Sequence, residues 1–202
     1  MTKEITETTQ NLPATPDSFV GMALEDLREL DHTALPTVIN DGEMFKVRGA
    51  NWGLPAVKDF NAVILDCHKY EYHRCSNQDH AIPGFYTMDG ETDSKGEPIE
   101  EIHNMWADDG CTYSVSHYVG AHVLMLTPED AFNGLAIVTI SPTSVKRFQA
   151  FLQLELGRQR KLQPFQAVTK FKLGNPVKGR GGKMFSPWEF EFVEPFDPSV
   201  IE

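Results

Sequence analysis

The chain has 202 residues, of which 41% are hydrophobic and 23% are charged, and its formal net charge is −11. This composition is that of a folded globular domain, and the length allows one good hydrophobic core. No apolar run approaches the roughly 20 residues of a membrane-spanning helix, and the first residues lack the basic start and apolar stretch of a secretory signal, so we expect a cytoplasmic protein with no membrane partner.

Residues 1–17 are rich in Thr and predict a disordered segment, and residues 18–31 carry a partial apolar stripe that predicts a short helix. From Met44 onward, stretches such as FKVRGANWG, FNAVILDCHKYEYHR and PGFYTM are rich in β-branched and aromatic residues and are interrupted by Gly and Pro. These stretches predict strands and turns. Residues 89–111 are polar and predict a long loop that leaves the sheet.

The second half of the chain begins with HVLMLTP and GLAIVTISP, two apolar runs that predict buried strands. VKRFQAFLQLELGRQRK then predicts a helix that is capped by Ser141 or Thr143 and ends at Gly157. The predicted apolar stripe of this helix consists of Val145, Phe148, Phe151, Leu152, Leu154 and Leu156. The alternating segments FQAVTKFKL and MFSPWEFEFV predict two final strands, joined by the Gly-rich basic loop GNPVKGRGGK.

Many short strands with one helix inserted late are typical of a small closed or partly open β-barrel. We expect its core to include the aromatic side chains Phe60, Phe171, Phe190 and Phe192.

The positive charge of this acidic chain is concentrated between residues 146 and 183, a segment that contains ten basic residues and one acidic residue, Glu155. The ten are Lys146, Arg147, Arg158, Arg160, Lys161, Lys170, Lys172, Lys178, Arg180 and Lys183. Such a segment favours a polyanionic partner, because phosphates are bound by basic side chains on mobile backbone without regard to base sequence. The alternative for the loop is a solvated hairpin tip.

Aromatic residues lie among the basic ones. Tyr70, Tyr72 and Arg74 share one face of a predicted strand, opposite Glu71 and His73. Two further aromatic residues follow or occupy Gly-containing turns, namely Trp52 and Tyr86. Because unpaired bases stack on exposed aromatic rings, we expect Tyr70 and Tyr72 on a solvated surface; barrel core is the alternative.

Metal and catalytic sites have weaker support. The candidate metal ligands are Cys67, His68, His73, Cys75, His80, His103 and Cys111. The odd number of cysteines argues against a disulfide scaffold, and no CxxC pair is present. We therefore expect free thiols and no cofactor, with a structural zinc as the alternative.

Cys67 and His68 do not readily form a nucleophilic pair on a strand, because adjacent side chains point to opposite faces. The acids Asp89, Glu91 and Asp93 lack the offsets of a calcium loop. We expect no enzymatic activity.

Three segments together resemble phage-encoded single-stranded DNA-binding proteins with an OB-fold core: AVILDCHKYEYHR, then GLAIVTISPTSVKRFQAFLQLELGRQRKLQPFQAVTKFKL, then WEFEFVEPF. The resemblance covers residues 43–195. It implies one domain over residues 18–195, an OB-fold-like five-stranded barrel with an inserted helix and a polar excursion at 89–111. It also implies sequence-independent binding of single-stranded DNA during phage replication or recombination, in the host cytoplasm.

The resemblance and the charge pattern together predict one set of DNA-binding residues. They are Trp52, Tyr70, Tyr72, Arg74, Tyr86, Arg158, Arg160, Lys161, Lys170, Lys172, Lys178, Arg180 and Lys183. Some relatives carry a cysteine cluster in the excursion, of which this chain keeps only Cys75 and Cys111. Residues 196–202 resemble the acidic tails that recruit replication proteins through an aromatic, here Phe196; a plain C-terminal stub is the alternative. A homo-oligomer is compatible with this interpretation.

Three other functions remain open on the sequence. They are RNA binding on the same barrel, a metal-dependent nuclease that uses the acids of 89–109, and an acidic protein-interaction module.

Overall fold

The structure is a computed structural model that describes residues 35–40, 44–48, 57–93, 95–126, 134–179, 182 and 184–201. The predicted disordered segment and helix before residue 35 lie outside the described residues, as do Trp52, Arg180 and Lys183.

The described residues form ten strands. These are β1 (Thr37–Asn40), β2 (Phe45–Arg48), β3 (Asp59–Cys75), β4 (Phe85–Thr87), β5 (Tyr113–Met125), β6 (Gly134–Ile140), β7 (Ala167–Leu173), β8 (Val177–Lys178), β9 (Met184–Phe185) and β10 (Trp188–Pro195). Helix α1 spans Ile99–Asp108, and helix α2 spans Pro142–Ala150 and continues as a π-helical segment, Phe151–Arg160. Short 3-10 turns occupy Pro164–Gln166 and Pro198–Ile201.

Seven strands lie side by side in the order β10-β7-β3-β5-β6-β1-β2, and β4 pairs with the C-terminal half of β3. The sheet curls into a half-barrel. Strand β8, in the predicted basic loop, pairs with β9, so Met184 and Phe185 form a separate short strand although they were predicted as part of the final strand. The prediction of a mainly β fold is confirmed. The sheet path has seven strands where five were expected, and the OB-type classification stays a prediction.

The longest pairing joins β3 to β5 over thirteen positions, from Ala62 opposite Met125 to Cys75 opposite Tyr113. The register shifts between Ile64 and Asp66, so β3 contains one extra residue at Leu65. Because side chains alternate between the two faces of a strand, an extra residue exchanges the faces for everything that follows. The bulge therefore divides β3 into two halves of opposite parity.

Both helices lie on one face of the sheet, which we call the helix-covered face, and the main core lies beneath α2 and the π-helical segment. Its fully buried large side chains include Phe45, Phe60, Phe148, Leu156, Phe171 and Trp188. The Phe60 and Phe171 rings stack with centroids 4.8 Å apart. The backbone N–H of Trp188 donates to Ser144 Oγ at 2.9 Å and ties β10 to α2.

The late helix differs from its prediction at its C-terminal half. The helix does not end at Gly157 but continues to Arg160, and Lys161 adopts a left-handed conformation with φ of 56°. In a π-helix each turn closes on the fifth residue. The buried positions accordingly become Phe151 and Leu156, five apart, whereas Leu154, predicted to widen the apolar stripe, is exposed. Phe190 and Phe192 are only half-buried against this core.

The predicted polar excursion at 89–111 contains α1, which is a correction to that prediction. Its buried side chains Ile99, Ile102 and Trp106 recur at helical spacing and pack on Cys75 and Phe85. Acidic residues on the outer side of the helix hid this narrow stripe in the sequence. Among the described residues, no helix is long and apolar enough to cross a membrane.

Phe171→Ala is expected to lower the free energy of unfolding by about 3–5 kcal/mol, because it deletes a fully buried ring that stacks on Phe60. Phe165→Ala is the matched control, since that ring is 38% exposed, and its expected change is within about 0.5 kcal/mol. Urea denaturation measures both values. Equal small losses would contradict this description of the core.

Candidate nucleic-acid interface

Four of the five tyrosines lie together on the sheet face opposite the helices. Tyr70 and Tyr118 are register partners on β3 and β5, and their rings stack with centroids 5.4 Å apart. Tyr86 on β4 lies 5.4 Å from Tyr70 and 4.6 Å from Tyr72, again between ring centroids. We call these four side chains the tyrosine face. Its rings come from three neighbouring strands, so the sheet itself fixes their spacing.

The four rings differ in exposure. Tyr86 is 50% exposed, Tyr72 and Tyr118 are half-buried, and Tyr70 is only 6% exposed. The expectation of a solvated Tyr70 is therefore wrong, because its neighbours cover it. Burial raises the pKa of Tyr70 well above its usual value, and a hydrogen bond with Thr139 offsets only part of that rise. Tyr70 therefore keeps its proton and lies at the bottom of the cluster, whereas Tyr72, Tyr86 and Tyr118 form the accessible layer.

Two glycines make room for this arrangement. A Cβ at Gly84 would lie 2.5 Å from the Tyr72 hydroxyl oxygen, so the Pro-Gly turn before β4 allows Tyr72 to pass. A Cβ at Gly120, on the same face of β5, would collide with the His68 ring. A larger residue at Gly84 would displace Tyr72, and one at Gly120 would displace His68, whose ring centroid lies 6.0 Å from that of Tyr70.

Arg74 supplies a positive charge at the edge of the tyrosine face. It is exposed and follows Tyr72 by two residues, so both side chains lie on the same face. The charge of Arg74 lowers the pKa of Tyr118, although burial is the larger influence and raises it. The structure therefore brings together four predicted residues, Tyr70, Tyr72, Arg74 and Tyr86, and adds Tyr118, which the sequence analysis missed.

Lys170 and Lys172 on β7 lie on the same side of the sheet as the four tyrosines, but beside the N-terminal end of β3. Lys170 is opposite Asn61, nine residues before Tyr70, a separation of about 30 Å along a strand. Lys170 Nζ lies 3.1 Å from Asp59 Oδ2, and Lys172 pairs with Glu191 and, at 3.8 Å, with Glu189. The hydrogen bond with Glu191 raises the pKa of Lys172. Both charges are thus compensated locally and lie away from the tyrosine face.

The remaining predicted basic residues lie elsewhere. The Arg160 guanidinium lies 3.7 Å from the centroid of Phe192, on the helix-covered side, and 3.5 Å from Glu155. Arg158, Lys161 and Lys178 are exposed, the first two at the end of the π-helical segment and the third in the β8–β9 hairpin. The basic stretch is therefore divided between two faces and one hairpin.

Phe196 packs on the sheet instead of extending into solvent. It contacts the apolar cluster of Val63, Leu124 and Val168, and its N–H donates to the Gln166 carbonyl oxygen at 2.8 Å. Phe196 is therefore occupied within the fold, contrary to the hypothesis that it anchors partners in an acidic tail.

The helix-covered face carries a chain of four titratable side chains that the sequence analysis did not find. His117 Nδ1 lies 3.2 Å from Glu71 Oε1, and Glu71 Oε2 lies 3.0 Å from His73 Nε2. His73 Nδ1 in turn lies 2.9 Å from Nε2 of His103 on α1. The His103 ring stacks on Tyr113 at 3.6 Å between centroids. These four side chains attach α1 to the sheet where the C-terminal half of β3 pairs with β5.

Beside these four side chains, a groove of about 310 Å³ lies between α2 and the turn that follows β4. Among the residues that line it are Lys69, Glu71, Asp89, His117 and Gln149. Asp89 accepts hydrogen bonds from Thr87 Oγ1, Thr92 Oγ1 and the N–H groups of Glu91 and Thr92, which hold its pKa well below the usual range. Its carboxylate is committed to the local turn.

The thiols and histidines show no metal arrangement in the described part of the chain, where no group of three or more Cys, His, Asp or Glu side chains is placed to hold an ion. Burial raises the pKa of Cys67 to about 12, so its thiolate is scarce at neutral pH. Cys67 and His68 lie on opposite faces of β3, as the alternation predicts. Contact with Cys75 raises the pKa of Cys111.

Comparisons with protein-family models, with curated proteins and with solved structures gave no match to this chain.

Acidification is expected to destabilise the fold through His103. Burial, and secondarily the charge of His73, lower the pKa of His103 below its usual value of 6.5. Below that value the unfolded chain takes up a proton more readily than the folded one, so the free energy of unfolding falls as the pH drops. Urea denaturation of the wild type and of His103→Gln from pH 7.5 to pH 5 tests this. A smaller fall in the variant is the expected result, and identical profiles would contradict it.

Proposed function

We propose that this protein binds single-stranded DNA without regard to base sequence, through the tyrosine face, and has no catalytic role. The observation that carries the proposal is the cluster of four tyrosine rings beside Arg74, of which Tyr86 is half exposed. Both described helices pack on the other face, which favours the tyrosine face as the surface for an extended ligand.

Stacking is the main attraction in this proposal. Every base has an aromatic face, so stacking on tyrosine attracts single strands of any sequence. Duplex DNA keeps its bases stacked inside, and it gains only the phosphate contacts. Arg74 supplies one such contact directly beside the rings, and exposed Lys178 in the β8–β9 hairpin is a further candidate.

The setting we propose is phage DNA replication or recombination in the host cytoplasm, with the curled sheet acting as an OB-type binding surface. The segments that resemble phage single-stranded DNA-binding proteins support this setting. They include YEYHR, which contributes Tyr70, Tyr72 and Arg74 to the tyrosine face. Binding to matched RNA and DNA strands distinguishes the preferred nucleic acid, because the 2′-hydroxyl is the only difference between the backbones.

Tyr86→Ala is expected to weaken binding of an oligothymidylate of about eight nucleotides by roughly 5- to 150-fold, because one stacked base contributes about 1–3 kcal/mol. Fluorescence anisotropy of a labelled oligonucleotide measures the change.

Tyr113→Ala is the matched control for this variant. Its ring is 49% exposed, almost the same as that of Tyr86, but lies on the helix-covered face against His103. We expect its affinity for the short oligonucleotide to stay within a factor of about two of the wild type. Equal losses in both variants, or none in Tyr86→Ala, would count against the tyrosine face.

Arg74→Gln and Lys172→Gln separate a phosphate contact from a compensated charge. Removing one phosphate contact lowers the slope of log affinity against log salt by about 0.7 for a single strand, and we expect this for Arg74→Gln. Lys172 already pairs with Glu189 and Glu191, so its variant should keep the wild-type slope. Titrations at four salt concentrations give the slopes, and the opposite order would contradict the assignment.

A further inference from the structure

Strand β5 is paired along the whole of one edge but along only half of the other. It is joined to β3 at thirteen positions, but to β6 only from Val119 to Met125. Among the described residues, no strand pairs with the second edge of β5 between Tyr113 and Tyr118. We call these six residues, YSVSHY, the free edge.

The sequence of the free edge lacks the residues that usually prevent a strand from pairing with other chains. Such edges are normally protected by Lys, Pro, inward-pointing charges or a bulge. The free edge contains no Lys, Arg, Asp, Glu or Pro, and its pairing with β3 is regular throughout. Two of its large side chains are exposed, Tyr113 at 49% and Val115 at 39%.

We propose that a second copy of this chain pairs antiparallel with the free edge, about a twofold axis at Val115 that stands perpendicular to the sheet. Directly opposed residues in antiparallel strands carry their side chains on the same face, so the numbers of two opposed residues must both be odd or both be even. One residue must therefore lie opposite its own copy, and the axis passes midway between these two copies. An axis at Val115 pairs five residues of each copy, 113–117, and places Tyr118 opposite the partner's Thr112. An axis at Ser116 would oppose Tyr113 to Val119, whose second edge already belongs to β6.

The resulting pairs suit a self-association. On the helix-covered face, Tyr113 meets the partner's His117, an aromatic pair of the kind that stabilises cross-strand contacts, and Val115 meets its own copy. On the other face, Ser114 meets the partner's Ser116. No acid opposes an acid and no Lys or Arg opposes another. An isologous contact of this kind closes as a dimer and does not propagate.

The dimer would also enlarge the proposed binding surface. A twofold axis perpendicular to the sheet leaves both tyrosine faces on the same side, so two four-ring clusters become one surface across a continuous sheet. This consequence rests on the proposed function, whereas the strand pairing does not.

Sedimentation equilibrium at about 100 μM protein tests the pairing. The wild type is expected at twice its chain mass of 22.7 kDa, and Val115→Lys at the chain mass, because two lysines would face each other across the axis. Val193→Lys is the matched control: Val193 is 43% exposed on the edge strand β10, and this variant should stay dimeric. Circular dichroism establishes that both variants keep the β signal of the wild type.

A second variant tests the register and does not depend on the tolerance of a lysine. Val115→Cys, oxidised with glutathione disulfide, should give a covalent dimer on a non-reducing gel, whereas the wild type and Val193→Cys should not. Each bridge consumes one glutathione disulfide and releases two glutathione thiols, so the two cysteines are oxidised and the glutathione is reduced.

A wild type that stays at the chain mass, or a Val115→Lys variant that stays dimeric, overturns the inference. Binding of the short oligonucleotide separates this failure from that of the proposed function. A monomer that still binds the oligonucleotide rejects only the dimer, and a dimer that does not bind it rejects only the tyrosine face.

Discussion

The extra residue in β3 at Leu65 is the constraint on which the arrangement of the candidate interface depends. Before it, Phe60, Ala62 and Ile64 point into the core beneath the helices. Without the shift, the even-numbered side chains that follow would continue on that face. With it, Tyr70 and Tyr72 point to the opposite face, and Cys67, His73 and Cys75 point toward the helices. The same residue therefore sets the tyrosine face, the histidine chain beneath α1 and the docking of α1.

Charge alone would suggest another interface. The ten basic residues between 146 and 183 are adjacent in sequence but divide among the π-helical segment, strand β7 and the β8–β9 hairpin. Acids on neighbouring strands pair with Lys170 and Lys172. In a chain with a net charge of −11, this leaves few uncompensated cations near the rings. We therefore assign most of the proposed affinity for single-stranded DNA to stacking, and we expect this affinity to depend only modestly on salt.

Local alternation made part of this structure predictable from the sequence. Patterns of period two predicted β7, β10 and the shared face of Tyr70, Tyr72 and Arg74, whereas continuous apolar runs predicted β6 and the C-terminal part of β5. The bulge at Leu65 has no such signature, because ILD reads as an uninterrupted strand. Tyr118 could be added to the cluster only once the β3–β5 register was known. The π-helical segment was not predicted, because its five-residue spacing resembles an α-helical apolar stripe that becomes irregular. Helix α1 was not predicted, because only Ile99, Ile102 and Trp106 form its apolar stripe.

The most direct measurement is photo-crosslinking of single-stranded DNA that carries 4-thiothymidine, followed by mass spectrometry of the peptides. We expect crosslinks to the peptides that contain Tyr72, Tyr86 and Tyr118, and loss of these crosslinks when unlabelled single-stranded DNA is added, but not when duplex is added. Crosslinks confined to the helix-covered groove around His117 and Gln149, or equal competition by duplex, would contradict it.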